Sequence, residues 1–105
     1  MMLVEFSIIP VGRDASMSDE VAEVLKIVDT TGLPYQLTPT GTVIEGEWAE
    51  VMSTIKMCHD RLRDRHSHLV TTIKIEDEEG ATNKLESNIT SVEEKLGRTL
   101  RTKPQ

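Results

Sequence analysis

Hydrophobic and polar positions alternate over residues 2–9 (MLVEFSII). Val4, Phe6 and Ile8 fall on one side, and Glu5 and Ser7 on the other. That period of two predicts a half-buried strand, ended by Pro10 and Gly12. The period then lengthens. Val21, Val24, Leu25 and Val28 follow helical spacing. Ser16 or Ser18 is placed to cap this helix, and Asp19 and Glu20 suit its first turn. Gly32 stands where a left-handed residue closes a helix. Alternation returns at Tyr35 to Thr38, a tight connection follows at Pro39 to Gly41, and Thr42 to Glu45 reads as a third strand, broken by Gly46. A second helical stripe runs through Trp48, Val51, Met52, Ile55, Cys58 or His59, and Leu62, and the polar stretch Arg63 to Ser67 ends it. Leu69 to Glu76 is a fourth strand with Thr71, Ile73 and Ile75 on one face. After the charged loop Asp77 to Asn83, the residues Leu85, Ile89, Val92 and Leu96 mark a third helix, closed by Gly97.

The resulting order, β-α-β-β-α-β with an additional C-terminal helix, is the split βαβ arrangement: an α+β, ferredoxin-like antiparallel sheet with two helices on one face. Residues 1–97 form one domain, and 98–105 are a polar tail expected to fray. If Phe6, Leu37, Ile44 and Ile73 point toward the helices, the other face carries Glu5, Ser7, Gln36, Thr38, Val43, Glu45, Thr72 and Lys74. Two readings of that face stand: an ordinary solvated surface, or an interface or polar ligand site.

Composition narrows the function. The only aromatic residues among the 105 are Phe6, Tyr35 and Trp48, so the core must be aliphatic. Single-stranded nucleic-acid binders use aromatic platforms and a basic groove. This chain has few aromatics and a formal charge of -6, which argues against nucleic acid and anionic membranes and toward a cationic ligand. A single cysteine, Cys58, leaves no internal disulfide to form and fits a reducing cytoplasm. No apolar run approaches the ~20 residues of a membrane span. The opening MMLVEFSIIPVG lacks a basic n-region and carries Glu5, so a signal peptide is not expected.

Catalytic signatures are missing: there is no glycine-rich phosphate loop, GxSxG elbow or HExxH. Cys58, His59, His66 and His68 have no zinc-module spacing. They read as one buried thiol and three surface imidazoles, with no metal expected. The acidic run Glu76 to Glu79 reads as a solvated loop.

The segment from Gly32 to Trp48 (GLPYQLTPTGTVIEGEW) resembles the thiamine-binding protein family, whose pattern runs GLxYxLxPxGTxIEGE. The likeness extends to Ile9-Pro10-Val11-Gly12, the Ser16/Ser18 pair, Thr71 to Ile75, Lys84 to Ser87 and Ser91 to Leu96. It covers nearly the whole chain. The family's Asp-Asp-Arg-like run after the last strand is replaced by Glu76-Asp77-Glu78-Glu79, so that arginine's role is not carried over. The resemblance implies binding of thiamine or its hydroxymethylpyrimidine part, no catalysis and no cofactor. It also implies self-association, as a homodimer or a homotetramer built as a dimer of dimers.

Thiamine needs a carboxylate or carbonyl opposite its aminopyrimidine and acidic or aromatic neighbours for its thiazolium. Glu45, on the polar face beside Gly46, is the first candidate contact, with pairing to Lys74 or a partner subunit as the alternative. Thr40 and Thr42 offer hydroxyls to the pyrimidine, or serve only the turn. Ser16 and Ser18 are caps that could also meet an alcohol or phosphate. Glu47 suits the start of the second helix, and Trp48 is either helix packing or a stacking platform. An oligomeric assembly protein, or an enzyme acting on a small polar substrate, are the competing functions.

Overall fold

The computed structural model describes residues 1–12 and 16–103. Its elements are β1 (Met2–Pro10), α1 (Met17–Thr31), β2 (Tyr35–Thr38), β3 (Gly41–Gly46), α2 (Trp48–Arg63), β4 (Leu69–Asp77) and α3 (Lys84–Leu96). The four strands form one sheet in the order β2-β3-β1-β4, with every pairing antiparallel. This is the ferredoxin-like arrangement with a C-terminal helix.

Register fixes the two faces. Val4 lies opposite Ile44 and Ile75, and Phe6 opposite Thr42 and Ile73. Residues directly opposite share a face, so these point toward α1 and α2. Val4, Phe6, Ile8, Val24, Val28, Ile44, Val51, Ile55 and Leu62 are buried between the layers. The core is aliphatic apart from Phe6, and each such side chain removed from water contributes roughly 1.5–3 kcal/mol. Gly32 closes α1 at φ 72°, a left-handed conformation that a Cβ would disfavour.

Three departures from the sequence expectations have physical causes. Trp48 opens α2, but its first-turn position turns it outward and leaves it 56% exposed; the buried stripe starts at Val51. Ile73 and Ile75 face the helix side yet remain 38% and 39% exposed, because the two helices pack mainly over β1 and β3 and β4 is an edge strand. The opposite face is not left open: α3 lies against β3 there.

None of the residues of α3 is buried. Leu85 and Ile89 are half-covered, while Val92 and Leu96 are exposed. The first residues after α3 are hydrogen-bonded back to it. Arg98 N–H donates to the Glu93 carbonyl at 3.2 Å, and Leu100 N–H to the Glu93 carboxylate at 2.7 Å.

Candidate functional site

A cavity of about 570 Å³ opens where three pieces of chain meet: the C-terminal half of β1, the first turns of α1, and the β2–β3 hairpin. Its volume falls within the range of small-molecule sites. Phe6, Ile8, Val21, Val24 and Leu37 supply an apolar wall, with Met17 and Pro39 at its margin. Ser7, Ser18, Thr38, Thr40 and Thr42 supply hydroxyls. No lining residue among those described carries a charge.

Local chemistry explains why the hairpin stands where it does. The Thr38 hydroxyl donates to the Gly41 carbonyl at 2.9 Å and accepts from Thr40 N–H at 3.3 Å, a side-chain brace across the turn. A Cβ at Gly41 would sit 3.0 Å from the Phe6 carbonyl oxygen. Glycine there lets the hairpin lie close against β1, and Thr42 follows directly, opposite Phe6 and buried.

The expected site residues divide between the two ends of the sheet. Ser18, Thr40 and Thr42 line the cavity, and Ser16 stands next to it at the N-cap of α1, where its side chain makes no cap hydrogen bond. Glu45, Glu47 and Trp48 lie at the other end, around the point where Met2 pairs with Gly46 and Leu3 with Glu45. Glu45 does sit on the face opposite the two helices, but its carboxylate is 1% exposed and accepts from Lys84 N–H at 2.6 Å and Leu85 N–H at 3.4 Å. The space beside Gly46 is filled: a Cβ there would meet Val51 at 3.2 Å and Leu33 at 3.3 Å. Glu47 is the N-cap of α2 and lies 3.8 Å from the N-terminal amine.

Two imidazoles expected at the surface are engaged instead. His59 Nδ1 is 2.6 Å from the Thr71 hydroxyl, and His66 Nε2 is 2.9 Å from the buried Glu20 carboxylate. Sequence reasoning missed Glu20, whose place in the first turn suggested only a dipole role. It also missed the apolar lining, whose one sequence signal was that Met17 and Val21 share a helix face beside the serines. Burial pushes the Cys58 thiol up to about 11, so it is not a nucleophile at neutral pH. Among the described residues no three His, Cys, Asp or Glu side chains converge as a metal site, and no helix is long and apolar enough to cross a membrane.

Fold and cavity together define a small ferredoxin-like α+β domain with a pocket whose described lining is apolar and hydroxyl-bearing. The sequence model of the thiamine-binding protein family matches residues 4–93, and the chain belongs to that family. Relatives include the UPF0045 protein YqgV of Bacillus subtilis, 36% identical over 102 residues and covering 91% of this chain and 98% of its own. A UPF0045 protein of Mycobacterium bovis is 33% identical over 96 residues, covering 90% and 94%. Among solved structures, a Methanocaldococcus jannaschii protein superposes with a TM-score of 0.81 at 27% identity, over 89% of this chain and 96% of its own. A Thermotoga maritima protein, a candidate for thiamine biosynthesis or salvage, shares the fold with a TM-score of 0.77 at 20% identity, over 87% and 97%.

Proposed function

We propose that this protein binds thiamine or its hydroxymethylpyrimidine part in the cavity between α1 and the β2–β3 hairpin, without catalysis and without a cofactor. The single observation carrying the reading is the cavity itself: an apolar lining joined by Ser18, Thr40 and Thr42, in a chain of the thiamine-binding protein family. An aminopyrimidine is a planar, largely apolar ring edged with hydrogen-bonding groups. Apolar side chains enclose such a ring and a few placed hydroxyls orient it. The described lining, which carries no charge, suits the pyrimidine better than the cationic thiazolium, which the chain's overall negative charge favours toward the mouth. Ser18, Thr40 and Thr42 are thus the ligand candidates at this cavity, while Glu45, Glu47 and Trp48 stand at the far end of the sheet.

The proposal includes self-association in the cytoplasm. β4 is a nine-residue edge strand carrying exposed Val70, Ile73 and Ile75, and long apolar edges are templates for pairing with another chain. A homodimer through β4, or a homotetramer built from two such pairs, would cover them.

The test is a thermal melt of ligand-free protein. Thiamine or hydroxymethylpyrimidine should raise Tm, since a ligand bound only to the folded state stabilises by about 2.7 kcal/mol at a hundredfold excess over Kd. A neutral sugar of similar size should not. No shift at millimolar thiamine would overturn the reading.

A further inference from the structure

We infer that Glu20, gripped by Arg65 and His66, is a positioning residue that holds the first turns of α1 as a wall of the ligand cavity. This inference rests on the proposed use of that cavity. Glu20 is 3% exposed, and its two carboxylate oxygens face separate partners from the α2–β4 corner. Arg65 Nη2 lies 3.2 Å from Oε1, and His66 Nε2 lies 2.9 Å from Oε2. The latter contact is a close approach rather than an aligned hydrogen bond, and neither atom has a hydrogen-bond partner among the described residues. A carboxylate is costly to bury unless a cation answers it. Its burial therefore fixes the position of whatever carries it.

What carries it is the cavity wall. Met17, Ser18 and Val21 line the cavity, and Glu20 stands among them in sequence on the neighbouring face of the same two turns. Among the described residues the other polar ties at this end are longer: Arg61 and Arg65 each reach Glu23 at 3.5 Å, the Ser16 side chain makes no cap bond, and the Ser16 and Ser18 hydroxyls lie 3.4 Å apart. The corner that holds Glu20 is itself anchored. Arg63 donates to the His66 carbonyl at 3.1 Å, Val11 N–H donates to the His68 carbonyl at 2.9 Å, and Arg65 also reaches Glu23 at 3.5 Å. The corner is thereby tied to the end of β1, whose residues Ile8 and Ile9 form another side of the cavity. One charge cluster thus sets two walls against each other.

The experiment compares Glu20→Ala, Glu20→Gln and Arg65→Ala with Val28→Ala, a core variant about two turns further along α1 that lies outside the cavity. Each is measured for Tm, for thiamine Kd, and for amide exchange at Val21 to Glu23. Glu20→Ala and Arg65→Ala should weaken thiamine by about tenfold and speed exchange at those amides by a similar factor. Glu20→Gln, which keeps the size and an acceptor, should recover part of both. Val28→Ala should lower Tm yet leave Kd within about twofold. If Glu20→Ala does not fold, Arg65→Ala, altering a partly exposed side chain, carries the comparison. Unchanged Kd and exchange in Arg65→Ala, or an equal loss of affinity in Val28→Ala, would overturn the inference. If wild-type protein binds no thiamine, the cavity's assignment fails while the exchange data still decide whether Glu20 holds the wall.

Discussion

The carboxylate of Glu45 on β3 receives the backbone N–H groups of Lys84 and Leu85 at the start of α3, at 2.6 and 3.4 Å. Asn83 occupies the N-cap in a left-handed conformation, φ 57°, and its side chain makes no cap bond. The first amides of a helix have no intrahelical partner, and here a buried anion from the sheet takes the place of a local cap. The positive end of the helix dipole strengthens the contact. Since α3 contributes no buried residue, this contact, with the Lys84 bridges to Glu76 and Glu78 at 3.0 and 2.7 Å, does much to hold the helix on the sheet.

Glu45→Ala should therefore loosen α3. Losing a charge-assisted acceptor at two part-buried amides should cost on the order of 2 kcal/mol. Amide exchange should quicken through α3, and Tm should fall, while thiamine affinity stays at the wild-type value. A large loss of affinity with α3 intact would return Glu45 to the ligand site.

Thr42 offers the most enclosed hydroxyl of the cavity. Thr42→Val keeps the shape and removes one neutral hydrogen bond, worth about 0.5–1.5 kcal/mol, so thiamine should bind roughly twofold to tenfold more weakly. Calorimetric titration reads this directly. Wild-type affinity would mean the hydroxyl does not touch the ligand.

The proposed self-association runs through the edge of β4. Ile73→Lys places a charge on an exposed, apolar edge position and should shift light-scattering mass toward the monomer at micromolar protein, with the fold intact by circular dichroism. An unchanged mass would place the interface elsewhere.

Cys58 gives a pH dependence. Its side chain is buried against the Val24 carbonyl, and burial raises the thiol to about 11 from an ordinary 9.0. The unfolded chain releases this proton first, so folding is favoured equally below about pH 9 and loses stability between 9 and 11. The loss is about 1.4 kcal/mol per pH unit at most. Chemical denaturation at pH 8 and 10 should show it in wild type, and Cys58→Ala should show a smaller alkaline loss.

Much of this fold is legible in the sequence because period and burial coincide. The alternation of Val4, Phe6 and Ile8 and the spacing of Val24, Val28, Ile55 and Leu62 each reflect one apolar face meeting one core. Ser18 is legible as a cap and Thr40 and Thr42 as turn residues with free hydroxyls, but nothing in the sequence shows that they share one cavity. What the sequence hid were relationships made only by tertiary contact. Glu20 reads as a first-turn acid and Glu45 as a ligand contact or a partner of Lys74 or another subunit, because their true guanidinium and amide partners lie 39 to 45 positions away in the chain. Trp48 follows the helical period yet faces outward, since a stripe's first member lies beyond the edge of the sheet it would cover. The apolar cavity wall was invisible for the same reason that the core was visible: Phe6, Ile8 and Val24 serve both.

The central claim is most directly tested by following backbone amide resonances of isotopically labelled protein as thiamine is added. The account expects saturable shifts centred on Ser18, Val21, Thr40, Gly41 and Thr42, with the Trp48 indole and the amides of Glu45 and Gly46 unmoved. Shifts centred on Glu45 to Trp48, or none at millimolar thiamine, would contradict it.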